Sequence, residues 1–454
     1  MKRILHTIIS ISIALMLALG HPVTAAAAQV WPECQDVAAE GAILIDARSG
    51  AVLYGKNIHE HYFPASITKI LTALLVIENC PDLDEKLTFS HRAIYDVEAG
   101  SSNAGYSEGD TVTVREALYA LLLASANEAA NALAEHVGGS IEDFCSMMNE
   151  KAASLGCTDS HFANPSGLNN EQHYTSAADY AKICQAAFEN DTFVQIDGTT
   201  YYDLPPMIRQ PEGVRVYAHH SMLKKSNDLY YDGIIGGKTG YTSLAGNTLV
   251  TCAERDRLKL ITVVLNGHKT HYDDTKLLLD FGFENFKSLC PGDYRTKYDT
   301  VFDDMDITGL GVLNADVIST AKDSYITLPK DAEFEDARTV LDYDISEADP
   351  EEACARILYR YVNRDVGTQY VLRKFVRGET AVKVGALVEG EEETEEEPAP
   401  LSLRDRFLES PWWVKALLAL GIVAAATGIV FLITYLTNRN RRTFGFRSSG
   451  RRRR

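Results

Sequence analysis

Pro64-Ala65-Ser66-Ile67-Thr68-Lys69-Ile70-Leu71-Thr72-Ala73-Leu74-Leu75 is the stretch on which the rest of the chain depends. Ile67, Ile70, Leu71, Leu74 and Leu75 repeat with the period of a buried helix face. Pro64 stands where proline is tolerated at a helix start. The pattern therefore puts Ser66 near a helix N-terminus and Lys69 one turn later on the same face. A serine hydroxyl is a weak nucleophile until a neighbouring base takes its proton. A lysine becomes that base when burial or nearby positive charge lowers its pKa.

A Ser-x-x-Lys tetrad by itself also fits a helix cap beside a solvated lysine. Two later stretches change its meaning. Ser125-Ala126-Asn127 interrupts a long alanine- and leucine-rich helical pattern, and Lys238-Thr239-Gly240 follows Gly236-Gly237 and leads into an apolar, strand-like run. Singly, Ser125 and Asn127 read as caps of the following helix, and Lys238-Thr239-Gly240 as a strand end. Together and in this order, the three motifs are the set used by penicillin-binding proteins and class A β-lactamases. With Asn164-Pro165-Ser166-Gly167-Leu168 and Gly237-Lys238-Thr239-Gly240-Tyr241-Thr242 beside them, the chain resembles the serine D-alanyl-D-alanine carboxypeptidases, the low-molecular-weight penicillin-binding proteins of the peptidase S11 type. The resemblance runs from about Ala42 to about Phe286.

It implies an acyl transfer that removes the terminal D-alanine from peptidoglycan stem peptides ending in D-Ala-D-Ala, with β-lactam antibiotics as covalent inhibitors. Ser66 is then the nucleophile and Lys69 its base. Ser125 relays a proton to the leaving amine, and Asn127 orients the peptide and Lys69. Lys238 holds Lys69 neutral and attracts the substrate carboxylate, Thr239 hydrogen-bonds that carboxylate, and Gly240 lets the substrate lie close. The backbone N–H groups of Ser66 and Tyr241 form the oxyanion hole. One departure is Ala126 with Glu128 in the middle motif, where relatives often have aspartate. Alternatives on the same motifs are a transpeptidase or endopeptidase, a β-lactamase and a catalytically inactive wall-binding scaffold. No Glu-x-x-x-Asn lies between Ser125 and Lys238 to serve the β-lactamase.

The expected fold class is α+β: a penicillin-binding-protein-like catalytic domain over residues 30–290, an antiparallel sheet packed with a helical cluster. The motifs lie on three separate elements, and their convergence on one cleft is implied only by the resemblance. Gly41 to Asp46 and Ala51 to Tyr54 read as a hairpin, as do Ala245 to Ala253 and Leu258 to Asn266. Thr113 with Glu116 is a capping box opening a helix through Leu123. Lys86 to Gly109 reads as a polar surface excursion. Over residues 293–388 helical periodicity gives way to short alternating runs, expected as a small β-rich domain.

The ends look different. Lys2 and Arg3, an apolar run and Ala25 to Ala28 form a signal peptide over residues 1–28. Residues 389–410 form an acidic linker and juxtamembrane segment. The span 414–436 is expected as a transmembrane helix, because Ala416 to Leu436 carries no charge and is about 31 Å long as a helix at ~1.5 Å per residue. Eight arginines in the tail 437–454 place it on the cytoplasmic side, with the catalytic part outside a single-pass cytoplasmic membrane anchor. Of the net charge of −19, the tail contributes +8 and the signal +2, so residues 30–436 carry −29, which argues against nucleic acid as a partner. The eight cysteines have no Cys-x-x-Cys spacing and there is no His-Glu-x-x-His, so no metal and no cofactor is expected. Cys184 and Cys252 read as small core residues.

Overall fold

The structure, a computed structural model, describes residues 30–294, 318–346 and 349–373. Strands β1 (Gly41–Asp46) and β2 (Val52–Lys56) form the first hairpin. A short 3₁₀ turn, Ala65–Thr68, runs directly into helix α1 (Lys69–Asn79). Strand β3 (Lys86–Thr88), helix α2 (His91–Tyr95) and strand β4 (Thr111–Thr113) follow, with β3 and β4 paired. The stretch Lys86 to Gly109, expected as a surface excursion, therefore contains one strand and a helix, with β4 just beyond it, all too short to leave a periodic signal.

Helices α3 (Val114–Leu123), α4 (Asn127–Gly138), α5 (Ile141–Ser154), α6 (Ala177–Glu189) and α7 (Asp191–Asp197) make the helical cluster. Their ends follow from local chemistry. The Thr113 side chain accepts from Glu116 N while Glu116 Oε2 accepts from Thr113 N, closing the capping box of α3. Ser140 and Ser176 cap α5 and α6 in the same way from one side. Gly139, at φ +78°, ends α4 in the left-handed conformation that favours glycine.

After a small hairpin, β5 (Tyr201–Leu204) with β6 (Val214–Tyr217), the chain returns as β7 (Ile234–Thr242), β8 (Gly246–Arg255) and β9 (Leu258–Leu265). These join the first hairpin in one antiparallel sheet of order β2-β1-β9-β8-β7, closed by the register Gly41 with Leu265 through Asp46 with Leu260. The two ends of the domain thus share a sheet, and the helices are inserted between them. Alternate residues face opposite cores. Ile43, Ile45, Val250, Cys252, Ile261 and Val263 pack against the helical cluster. Ala42, Leu44, Leu249, Ala253, Leu260 and Val264 pack against α8 (His271–Asn285) on the other face. A sheet covered on both faces explains why β8 and β9 read as continuous apolar runs rather than alternating ones.

The second core is shared. Strand β10 (Phe286–Leu289) leaves α8 without a break and opens a second antiparallel sheet with β11 (Ile318–Thr320), β12 (Ile326–Pro329), β13 (Arg338–Asp342), β14 (Ala353–Tyr361) and β15 (Arg364–Arg373). Its order is β10-β12-β15-β14-β13, with β11 on β15. Phe286, Ile326, Leu328, Ile357 and Tyr359 lie in the same apolar cluster as Leu44, Leu278 and Phe281. Two polar links cross between the sheets: Thr327 Oγ1 donates to the buried Asp46 carboxylate at 2.6 Å and lies 2.6 Å from Ser49 Oγ.

The fold class needs one correction. Among the described residues no helix is long and apolar enough to cross a membrane. The longest, α8, has 15 residues and carries Asp273, Asp274, Lys276, Asp280 and Glu284. Over the described residues the fold is therefore α+β and penicillin-binding-protein-like, with no helix that crosses a membrane. No described residue supports the membrane as a partner or the single-pass placement in a cytoplasmic membrane, both of which need such a helix. Residues 414–436, where it was expected, lie outside the described residues, as do residues 1–28, 389–410 and 437–454. All eight cysteines are free thiols, five of them buried.

Candidate active site

The turn that carries Ser66 is built under strain. Ala65 adopts φ +50°, in the left-handed region that costs a non-glycine residue about 1–2 kcal/mol. This sets the 3₁₀ turn ahead of α1, so Ser66 stays half-buried at the turn while Lys69, the first residue of α1, is fully buried. Lys69 Nζ lies 3.1 Å from Ser66 Oγ, 2.7 Å from Asn127 Oδ1 and 2.6 Å from the Ser166 carbonyl oxygen. Burial holds the Lys69 amine well below the usual lysine range, the Lys238 charge pushes it further down, and Glu128 opposes them. Its neutral form has two N–H groups, for Asn127 and Ser166, and one lone pair, for the Ser66 O–H.

The middle motif is not a helix cap. Position Ala126 is the N-cap of α4, and no side chain caps that end. Asn127 instead turns its amide oxygen to Lys69, and its backbone N donates to Ser102 O at 3.0 Å. Ser125 is held at φ +58°, and its buried hydroxyl has no hydrogen-bond partner among the described residues. A strained backbone and an unsatisfied buried hydroxyl just ahead of Asn127, the partner of Lys69, are the signs of a group held ready for a ligand. Glu128 accepts from Ala104 N at 2.7 Å and Gly105 N at 3.2 Å, fixing the loop behind Ser102.

The third motif lies on β7. Lys238 is buried, and its Nζ donates to the Thr239 carbonyl at 3.0 Å. Burial brings its pKa down to about 8, against the opposing charge of Asp197. Asp197 ends α7 and accepts from Gly237 N at 2.6 Å; its own pKa is raised to about 7 by burial. A Cβ on Gly240 would stand 2.8 Å from Ser66 N and 3.1 Å from the Ala65 Cβ, so β7 passes directly against the nucleophile's turn. Thr239 is half-buried, and Tyr241, paired in register with Asn247, is 67% exposed. The first and third motifs, far apart in the chain, thus meet at Ser66, and the middle motif joins them through Asn127 and Lys69.

Two further contributors have no role assigned by the sequence, although Ser166 lies within the Asn164–Leu168 stretch that carries the resemblance. Ser166 supplies a carbonyl, a group every residue has. Its loop is held by Asn164 Oδ1, which accepts from Ser166 N and Gly167 N, and by Thr72 Oγ1, which donates to Pro165 O at 2.7 Å. Gly167 has φ +84°, and a Cβ there would lie 1.8 Å from Ala65 O. His173 also braces the loop: its Nδ1 accepts from Ala163 N at 3.0 Å, which leaves Nε2–H to donate to Thr68 Oγ1 at 2.8 Å. Burial keeps this imidazole neutral, its pKa lowered to about 3. Asp197, the second contributor, is one acid among many until the fold sets it beside Gly237.

Comparison with known proteins agrees with this geometry. Residues 24–269 match the family model described as D-alanyl-D-alanine carboxypeptidase, peptidase S11. The D-alanyl-D-alanine carboxypeptidase DacF of Bacillus subtilis is 34% identical over 298 residues, 63% of this chain and 72% of that protein. The crystal structure of the Streptomyces K15 DD-transpeptidase is 30% identical with a TM-score of 0.52, covering 56% of this chain and all of that one. Penicillin-binding protein 5 of Haemophilus influenzae, at 21% identity, shares the fold with a TM-score of 0.60 over 75% of this chain and 98% of its own. That share is larger than the catalytic domain alone. The chain belongs to the serine D-alanyl-D-alanine carboxypeptidases of peptidase family S11, the penicillin-binding-protein-like hydrolases.

Proposed function

We propose that the chain removes the terminal D-alanine of peptidoglycan stem peptides through an ester on Ser66. The observation that carries this is the buried Lys69 amine, held well below the usual lysine range by burial, 3.1 Å from the half-buried Ser66 hydroxyl. Lys69 takes the Ser66 proton as Oγ attacks the carbonyl carbon of the penultimate D-alanine. The oxyanion forms against the backbone N–H groups of Ser66 and Tyr241, donors worth roughly 3 kcal/mol each in such sites. The closeness of Gly240 to Ser66 N supports this placement. As the C–N bond breaks, the proton passes by way of Ser125 to the leaving D-alanine nitrogen. The unpartnered Ser125 hydroxyl supports that relay. Lys238 and Thr239 hold the terminal carboxylate, and water then hydrolyses the ester. β-Lactams acylate the same serine and leave slowly.

A transpeptidase would use the same acyl-enzyme with an amine in place of water, and one similar structure is a DD-transpeptidase. Full-length protein incubated with a synthetic pentapeptide ending in D-Ala-D-Ala, read by mass spectrometry, separates the two. Loss of one alanine, absent with Ser66→Ala, is expected. Joined peptides would make it a transpeptidase. Hydrolysis that persists in Ser66→Ala would remove Ser66 as nucleophile.

A further inference from the structure

Cys80 is the C-cap of α1 and turns its thiol inward, where Sγ donates to Glu85 Oε1 at 2.8 Å. Glu85 stands just before β3. His136, in the last turn of α4, places Nε2 2.9 Å from the same Glu85 oxygen. Sulfur, carboxylate oxygen and imidazole nitrogen all lie within 4.8 Å of one another. The three residues come from three elements, so no spacing in the sequence announces them.

Thiolate, imidazole and carboxylate are the donors that zinc takes, and in a tetrahedral site with bonds of about 2.0–2.3 Å they stand roughly 3.5 Å apart. The observed separations, 2.8 and 2.9 Å on the two sides of Glu85 Oε1 and all within 4.8 Å, bracket that spacing. The Glu85 and His136 side chains are 46% and 25% exposed, which leaves a fourth position open to solvent water. The place in the fold gives the site a consequence. Lys69 begins α1 and Asn127 begins α4, and their contact at 2.7 Å joins the two helices at the catalytic end. Cys80 and His136 join the same two helices at the other end, about 15 Å along α1 at ~1.5 Å per residue. We propose that Cys80, Glu85 and His136 bind one zinc ion, which fastens the far ends of the two helices that carry the base and its orienting amide. On binding, the Cys80 S–H bond breaks, its proton passes to solvent and a sulfur–zinc bond forms; no electron is transferred.

Full-length protein, prepared reduced and free of chelators, is titrated with zinc and separately with cobalt(II). One zinc per chain, a thiolate-to-cobalt charge-transfer band in the near ultraviolet and a Tm raised by several degrees are expected. All three vanish in Cys80→Ser and in His136→Gln. The second variant is partly exposed and keeps the test decisive if the first fails to fold. Absence of saturable binding, binding unchanged in His136→Gln, or a cobalt complex without the thiolate band would each overturn the site and leave only a hydrogen-bonded chain of thiol, carboxylate and imidazole.

Discussion

At Lys69 and Lys238 the proposed mechanism asks two lysines, both buried, to hold different protonation states. Lys69 must be neutral to accept a proton, and burial with the neighbouring Lys238 charge pushes it that way. Lys238 must be charged to hold a carboxylate and to keep Lys69 neutral, and Asp197 opposes the burial that lowers it to about 8. The productive enzyme is thus deprotonated at one lysine and protonated at the other. The expected pH dependence of kcat/KM is a bell, rising as Lys69 loses its proton and falling above about pH 8 as Lys238 loses its own. Replacing Lys238 with arginine, which stays charged, is expected to carry the basic limb upward by at least a pH unit. A basic limb unmoved in Lys238→Arg would assign it to another group.

The element on which the site leans most is the loop Ala163–Leu168. It lies between α5 and α6, presents the Ser166 carbonyl to Lys69, and touches the Ala65 turn through Gly167. A Cβ at Gly167 meets a backbone oxygen at 1.8 Å in a left-handed conformation, so neither neighbour can yield without moving the nucleophile. Gly167→Ala is expected to cost about 3 kcal/mol or more in urea unfolding and to lower the rate of penicillin acylation. A stable variant with unchanged acylation would show the loop to be separate from the site. His173 ties the same loop to Thr68, and its effect is pH-dependent. Its pKa in the fold is about 3, below the ordinary 6.5, so the unfolded chain takes up the proton first. Its contribution is whole above pH 6.5 and is lost as pH falls toward 3. His173→Gln does not titrate. Between pH 7 and pH 5 the wild type is expected to lose about 2 kcal/mol more stability than His173→Gln. Parallel stability curves would mean that His173 takes up its proton in the fold as it does in the unfolded chain.

At the scale of the whole molecule, the catalytic sheet is a wall between two cores, and the second sheet completes the outer one. Phe286, 1% exposed, opens β10 and packs its ring 5.0 Å from Trp31 and 5.4 Å from Phe281. Phe286→Ala is expected to lower stability by about 3–5 kcal/mol, measured by denaturant unfolding as a single transition. Two separate transitions, with only one shifted, would show that the two sheets unfold independently. The buried Asp46 carboxylate, accepting from Thr327 Oγ1 and Arg48 N, gives the interface a polar link that an apolar contact would lack.

Sequence alone went far where the signal is local. The capping box at Thr113 and Glu116, the glycine stop at Gly139, the apolar runs of β8 and β9, and the three motifs in order are all set within a few residues, by groups whose chemistry is distinctive. Tertiary structure decided what depends on meeting. It turned Asn127 from a capping candidate into the partner of Lys69, because the amide oxygen is placed by helix packing rather than by its neighbours. It gave the Ser166 carbonyl and His173, in or near a stretch marked by the resemblance, their partners, and it brought in Asp197, which looks like any acid until long-range contact gives it one. It placed two strands and a helix between Lys86 and Thr113, where each is too short for periodicity to register. The strain at Ala65 and Ser125 belongs to the same class, since a left-handed alanine or serine is unfavourable locally and persists only because surrounding packing over-determines it.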